Sequence, residues 1–170
     1  MKVAAKAWIE TPLGPVLLGA QDDGLACLYF QNHRGGVEKS VSGPENLLHP
    51  IILEAVAALE GYFASSGRLD LLDAALPLRL EGTPFQRRVW NELRLIPAGK
   101  TLTYADLARK VDAEKSARAV GQAVASNPIS IFVPCHRVIG SDTLLRGYAG
   151  GLDRKRWLLQ HEQGQLVMRF

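Results

Sequence analysis

Gly82-Thr83-Pro84-Phe85-Gln86-Arg87-Arg88-Val89-Trp90-Asn91-Glu92-Leu93 is where this chain changes character. Thr83 is an N-cap residue, Pro84 stands at the first helical position and Gln86 completes a capping box. Phe85, Val89 and Leu93 recur at helical spacing until Pro97-Ala98-Gly99 stops the stripe. Upstream of this start signal the pattern is mainly that of strands. Downstream, short helices follow one another. The stretch therefore divides an α/β chain into an expected N-terminal part, residues 1–81, and an expected C-terminal part, residues 82–170.

Working outward to the N-terminus, Val3, Ala5, Ala7 and Ile9 alternate with Ala4, Lys6, Trp8 and Glu10, which is strand periodicity. Thr11-Pro12-Leu13-Gly14-Pro15 interrupts that strand, and Val16 to Ala20 supplies a second one. Asp22-Asp23-Gly24 is a turn signal before a third, Leu25 to Phe30. The expectation is a small antiparallel sheet, with Cys27 a buried and inert small hydrophobe. A polar loop from His33 to Pro44 follows. Ile51, Ile52, Ala55, Val56, Leu59 and Phe63 then mark one face of a helix, ended by Ser65-Ser66-Gly67.

Towards the C-terminus, Thr103 opens a short helix from Tyr104 to Lys110, and Ser116 is the expected cap of another from Ala117 to Ser126. Pro128 prevents that helix from running much past Asn127. Two short helices with a tight connection have the outline of a helix-turn-helix, although helical hairpins are common. The second helix is thin: Ala117, Ala119, Gly121, Ala123 and Ala125 give it little bulk. Small residues serve close packing within a domain as well as close approach to another backbone. Arg118 stands at the end where a cation opposes the helix dipole.

The 170 residues suffice to bury a core, and composition is globular, with 47% hydrophobic and 22% charged residues. No apolar run is long enough to span a bilayer, so no membrane partner is expected. Met1 to Glu10 lacks the apolar region of a secretory signal, which points to the cytoplasm and reduced thiols. Four histidines and two cysteines show no paired-ligand spacing, so no metal is expected. The net charge of +3 is unevenly spread. Residues 1–81 hold six Lys and Arg against ten Asp and Glu, net −4, and residues 82–170 hold 14 against seven, net +7. The basic half is where an acidic polymer such as nucleic acid would bind.

Within that half, Val133-Pro134-Cys135-His136-Arg137-Val138 sets a thiol beside an imidazole. A thiol nucleophile acts as thiolate and needs a base or positive potential nearby. Adjacent side chains diverge, so a bridging water between Cys135 and His136 is easier than direct contact. The imidazole would need an orienting acceptor, and the helix starting near Asp153 carries Glu162. From these residues alone, Cys135 reads equally as a buried structural thiol and as a reactive one.

Pro134-Cys135-His136-Arg137-Val138-Ile139-Gly140, followed by Gly147-Tyr148-Ala149-Gly150-Gly151, resembles the O6-alkylguanine-DNA alkyltransferases, the methylated-DNA–protein-cysteine methyltransferases. The resemblance extends through Gly82 to Gln86, Ile96 to Thr101, Tyr104, Ala117 to Gly121, Asn127-Pro128, Trp157 to Leu159 and His161-Glu162. It covers essentially all of residues 82–163 and is looser over 1–81, where Thr11 to Pro15 carries it.

The resemblance implies a small ribonuclease-H-like α/β unit followed by a mainly helical, winged-helix-like domain with a helix-turn-helix. The implied reaction is single-turnover repair of double-stranded DNA carrying O6-alkylguanine, with O4-alkylthymine as a second substrate. It moves the alkyl group irreversibly to Cys135 without a cofactor. The thin helix would enter the minor groove through Ala117 and Gly121, and Arg118 would replace the flipped base. His136 would take the thiol proton, Glu162 would support His136, and Asn127 would shape the thiol pocket. Tyr104 would protonate the leaving guanine. Tyr148, Ala149, Val138, Lys155 and Ser130 would form the base pocket, Lys155 reading almost as well as a solvated helix lysine. The expected state is a monomer that can assemble cooperatively on DNA, located wherever the DNA is, cytoplasm, nucleoid or nucleus.

Two positions depart from the family pattern: Ser130, where some members have proline, and Arg146, where a small or neutral residue is usual. Both bear on which larger alkyl groups fit. Two rival readings are a DNA-binding module with a structural Cys135 and a Cys-His-Glu hydrolase. The hydrolase would need an oxyanion hole and multiple turnovers.

Overall fold

The computed structural model describes residues 1–65, 76–113, 116–141, 145 and 147–164. Ser66, Gly67 and Arg146 of the sequence expectations lie outside the described residues. Strands β1 (Ala5–Ile9), β2 (Val16–Gln21) and β3 (Gly24–Phe30) form an antiparallel sheet in the order β1-β2-β3. Pairs Ala7↔Leu18 and Leu18↔Leu28 set its register, and a bulge falls between Gly19 and Ala20.

Only β1 alternates cleanly, because β2 and β3 are covered on both faces. On one side lies helix α1 (Pro50–Ala64), with Ile52, Ala55, Leu59, Tyr62 and Phe63 turned inward. On the other, Val3, Leu17, Ala26, Cys27 and Val41 form a separate small cluster. Cys27 is wholly buried there, and burial pushes its thiol up to about 12. It is the inert hydrophobe the sequence suggests.

Helix α2 (Pro84–Arg94) begins on the expected capping box: Gln86 N–H donates to Thr83 Oγ1 at 3.2 Å and Thr83 N–H donates to Gln86 Oε1 at 2.9 Å. Helices α3 (Tyr104–Lys110) and α4 (Ala117–Ala125) follow, with Thr103 capping α3 through Asp106 N–H at 3.0 Å. Ser116 occupies the cap position of α4, but its side chain makes no capping bond, so the first turn of α4 lacks that side-chain cap. Trp90 pins α4 to α2 by donating from Nε1 to Ala123 O at 2.8 Å.

Two short contacts fix the thiol segment. Leu28 N–H donates to Pro128 O at 2.9 Å and Ser130 N–H donates to Leu28 O at 3.2 Å, so β3 acts as a template for Pro128 to Ser130. Strand β4 (Leu102–Thr103) runs parallel to β5 (Val138–Ile139), which sets the start of α3 beside the 3₁₀ turn Cys135–Arg137. Helix α5 (Leu152–Glu162) closes the structure. One buried cluster takes in side chains from β1–β3, α1–α4 and the thiol segment alike.

Candidate active site

Asn127 follows α4 just before Pro128, and its side chain organises the loop that carries the thiol. Nδ2 donates to Val133 O at 2.7 Å and to Cys135 Sγ at 3.1 Å, while Oδ1 accepts from Ile129 N–H at 3.0 Å. The loop is strained: Ile131, a β-branched residue, sits at φ +71°. Backbone bonds from Phe132 to Ser130 and from Val133 to Ile129, each 2.9 Å, hold it there. Ser130 itself is buried within this loop.

Cys135 is 6% exposed. Burial is the largest influence on its thiol and raises its pKa, against the Asn127 hydrogen bond and the Lys155 charge. The resting group is therefore a thiol, and reaction requires a base.

His136 is wholly buried, and its Nε2 lies 2.7 Å from Glu162 Oε1. Burial lowers the imidazole pKa, with Glu162 opposing. Burial alone would raise Glu162, but His136 and Arg137 outweigh it and bring the carboxyl down to about 2. A carboxylate facing Nε2 assigns the imidazole proton to that nitrogen, leaving a lone pair on Nδ1. Among the described residues Nδ1 has no hydrogen-bond partner, the thiol included. His136 is thus a neutral base whose free nitrogen is held by geometry.

Arg137, quoted in the motif but given no role there, completes the array. Its Nε donates to Glu162 Oε2 and its Nη2 to Oε1, both at 2.9 Å, and Nη1 donates to Ile96 O. Tyr62 of α1 donates to Glu162 Oε1 at 3.0 Å, and Gly99 N–H donates to Oε2 at 3.2 Å. Gly99 has φ +72°, and a Cβ there would stand 3.0 Å from Glu162 O.

Lys155 is wholly buried, so the reading of it as a solvated helix lysine does not hold. Its face of α5 turns inward, and Nζ donates to Val138 O at 2.6 Å and more weakly to Gly147 O at 3.4 Å. Burial brings its pKa down to about 8, with the Cys135 charge opposing.

A cavity of about 690 Å³ opens on the surface, lined by Tyr104, Ala117, Arg118, Gly121, Tyr148 and Ala149 among others. Cys135, His136, Asn127, Glu162, Val138 and Lys155 lie in the buried network rather than on that lining. Tyr104 and Tyr148 connect the two groups. Tyr104 is raised in pKa first by burial and then by the Cys135 charge, and its hydroxyl donates weakly to Gly147 O at 3.4 Å. Tyr148 packs edge-on to His136 with ring centroids 6.5 Å apart.

The N-terminal part also reaches the cavity. Arg34 lines it and donates its backbone N–H to Ala149 O at 2.8 Å. Arg154 donates to Leu13 O at 3.0 Å and Gly150 O at 2.9 Å, lying over the Phe30 ring. That contact ties the Thr11 to Pro15 turn to α5. Gly150 lies between Phe30 and Tyr148, where a Cβ would come within 2.7 Å of both rings. Sequence reasoning missed Arg34 and Tyr62, and it quoted Gly99 and Arg137 in the family stretches without giving them a role. Of the two missed, Tyr62 gave a signal, a phenol next to Phe63 whose hydroxyl needs a buried partner.

Among the described residues no group of His, Cys, Asp and Glu could hold a metal ion, and no helix is long and apolar enough to cross a membrane. Cys27 and Cys135 are both free.

Comparison with known proteins points the same way as the geometry. A family model described as 6-O-methylguanine DNA methyltransferase, DNA binding domain, matches residues 84–164. A methylated-DNA–protein-cysteine methyltransferase of Methanosarcina acetivorans is 45% identical over 156 residues, covering 92% of this chain and 96% of that protein. The crystal structure of Mycobacterium tuberculosis OGT in complex with DNA superposes with a TM-score of 0.80 at 37% identity, covering 95% of this chain and 94% of that one. An O6-methylguanine-DNA methyltransferase from Pyrococcus kodakaraensis gives 0.63 at 27% identity, covering 93% and 98%. With two relatives of that kind matching almost end to end, the chain belongs to the methylated-DNA–protein-cysteine methyltransferase family.

Proposed function

We propose that this protein repairs double-stranded DNA by moving the alkyl group of O6-alkylguanine, with O4-alkylthymine as a second substrate, to Cys135 in a single turnover. The observation that carries this reading is the Cys135 thiol held at 3.1 Å by Asn127, with a neutral His136 backed by Glu162 as its neighbour. His136 Nδ1 takes the thiol proton through a bridging water. Sγ then bonds to the alkyl carbon as the carbon–O6 bond breaks, and that electron pair leaves with guanine. Tyr104 gives a proton to the ring nitrogen, so neutral guanine departs. The proton taken up by His136 then returns through solvent to the Tyr104 phenolate, so in net terms one proton has moved from the thiol to guanine. The thioether is stable, so each molecule reacts once and no cofactor is used.

Lys155 sits where its charge favours the thiolate as it forms. Backbone N–H groups around Tyr148 and Ala149 would bind O6, with Tyr148, Val138 and Ser130 as pocket walls. The thin α4 enters the minor groove, Ala117 and Gly121 allowing close approach, and Arg118 fills the place of the flipped base. Its position on the cavity lining supports that role. In this reading residues 1–81 are a ribonuclease-H-like unit. Residues 82–170 are a winged-helix-like unit whose α3 and α4 make the helix-turn-helix. The protein acts as a monomer that can assemble cooperatively on DNA, in the cytoplasm or wherever DNA is held.

The test is intact mass after incubation with a duplex containing one O6-methylguanine, followed by peptide mapping. One added methylene on the Cys135 peptide, with no second turnover, is the expected result. A chain that binds the duplex and gains no mass would make Cys135 structural. Repeated turnover on activated esters would favour a hydrolase.

A further inference from the structure

Among the described residues the Glu162 carboxylate receives five donors. Oε1 accepts from Tyr62 Oη, His136 Nε2 and Arg137 Nη2 at 3.0, 2.7 and 2.9 Å; Oε2 accepts from Gly99 N and Arg137 Nε at 3.2 and 2.9 Å. Two carboxylate oxygens offer about four lone-pair sites, so donors on the same oxygen compete for it. Three of the five come from His136 and Arg137, beside the thiol, and a fourth from Gly99. The fifth comes from α1, 100 residues away.

We propose that Tyr62, a residue of the N-terminal helix, is a positioning residue of the reaction: its hydroxyl fixes the Glu162 oxygen that also holds His136. This rests on the transfer reading given above.

Three features set Tyr62 apart from a core tyrosine with an incidental partner. Its acceptor is the same oxygen that holds the base. Its backbone carbonyl accepts from His161 Nε2 at 2.9 Å, so Tyr62 grips two successive residues of α5. It is wholly buried, and burial, followed by the Glu162 charge, keeps its pKa well above the usual phenol range. It therefore remains an O–H donor at working pH and draws electron density from Oε1 that would otherwise go to His136. The charged and titratable groups facing His136 are Glu162 and Lys155 of α5 and Arg137 of its own turn, with the Tyr148 ring against it. Those facing Glu162 among the described residues are His136, Arg137, Tyr62 and, at longer range, Tyr148. Removal of the Tyr62 hydroxyl changes one of these and leaves the ring in place.

The sign follows. Without the phenol donor, Oε1 binds Nε2–H more strongly and favours the charged imidazole, so the base is lost at a higher pH. Tyr62→Phe should therefore move the acid midpoint of the single-turnover rate upward by roughly half a unit or more. Less exact orientation of His136 should lower the plateau rate several-fold. Phe63→Leu is the control for packing, since Phe63 meets Tyr62, Trp157 and His161 ring to ring and its side chain has no donor to offer Glu162. It should lower stability and leave the midpoint where it was.

The measurement is the rate of thioether formation on an O6-methylguanine duplex between about pH 5 and 9, with imidazole NMR titration of His136 in the same variants without DNA. A raised midpoint in both experiments for Tyr62→Phe, and in neither for Phe63→Leu, supports the proposal. A Tyr62→Phe chain with the parent's midpoint and plateau overturns it, as does an equal midpoint shift in Phe63→Leu. Should the parent form no thioether, the transfer reading fails, while the His136 titration still decides whether Tyr62 governs the base.

Discussion

Asn127 does two jobs with one amide, since the hydrogens of Nδ2 go to Val133 O and to Cys135 Sγ. The first keeps the strained Ile131 turn closed, and the second favours the thiolate against the burial that raises the thiol pKa. Asn127→Ala should therefore slow alkyl transfer by roughly 10- to 100-fold, as expected for a lost hydrogen bond to a developing charge. Single-turnover rates at two pH values would check it, and the loss should shrink at high pH, where the thiolate forms without help. Glu162 makes the opposite kind of contribution, to stability. Its carboxyl is brought down from an ordinary 4.5 to about 2 in the folded chain, because His136 and Arg137 overcome the effect of burial. A depressed carboxyl stabilises fully above its unfolded pKa, and that contribution is lost as pH falls from about 4.5 towards 2, amounting to about 3 kcal/mol. Glu162→Gln should flatten the acid limb of a urea-unfolding series across that window. It should also cost about 3–5 kcal/mol at neutral pH, since Arg137 would remain buried without its counter-charge.

At the scale of elements, α2 shows what local sequence dictates. Its capping box is complete in the structure, and Thr83→Ala should lower stability by about 1 kcal/mol in urea unfolding with little change in transfer rate. The helices were legible because their caps and apolar stripes are local: Pro84, Thr103 and the Ile51 to Phe63 face all lie where the pattern puts them. Ser116 is the exception, a residue of the right type whose hydroxyl forms no capping bond. Position was legible there and hydrogen bonding was not, because the bond depends on a rotamer that sequence does not set. The sheet was legible as three strands but not as a template. Nothing in Leu28 announces that its backbone binds Pro128 and Ser130, a pairing across about 100 residues that positions the thiol loop. The site followed the same division. Cys135, His136 and Asn127 could be read from a compact motif, whereas the Tyr62 and Gly99 contacts to Glu162 exist only once α1 and α5 have packed.

The whole molecule joins an acidic and a basic half, net −4 over residues 1–81 and +7 over 82–170. Their shared core means that this asymmetry is held in a fixed arrangement rather than spread along a loose chain. The cavity is lined largely by the basic half, with Arg118 on α4 and Arg34 entering from the other side. Such a field attracts phosphates, and each phosphate neutralised by a cation releases counterions on binding. Two to four such contacts would weaken binding to undamaged duplex roughly 10- to 100-fold between about 50 and 200 mM salt. Fluorescence anisotropy would measure it, and an affinity independent of salt would count against DNA as the partner. Arg118 separates charge from base flipping within the same experiment. If it only neutralised a phosphate, Arg118→Ala would shallow the salt slope and slow transfer from duplex only as far as binding weakened. If it fills the vacated stack, transfer from duplex at saturating protein should also slow, by ten-fold or so for a contribution of about 1.4 kcal/mol. Reaction with the free base O6-methylguanine, which needs no flipping, should be unchanged, and equal losses on both substrates would remove Arg118 from that role.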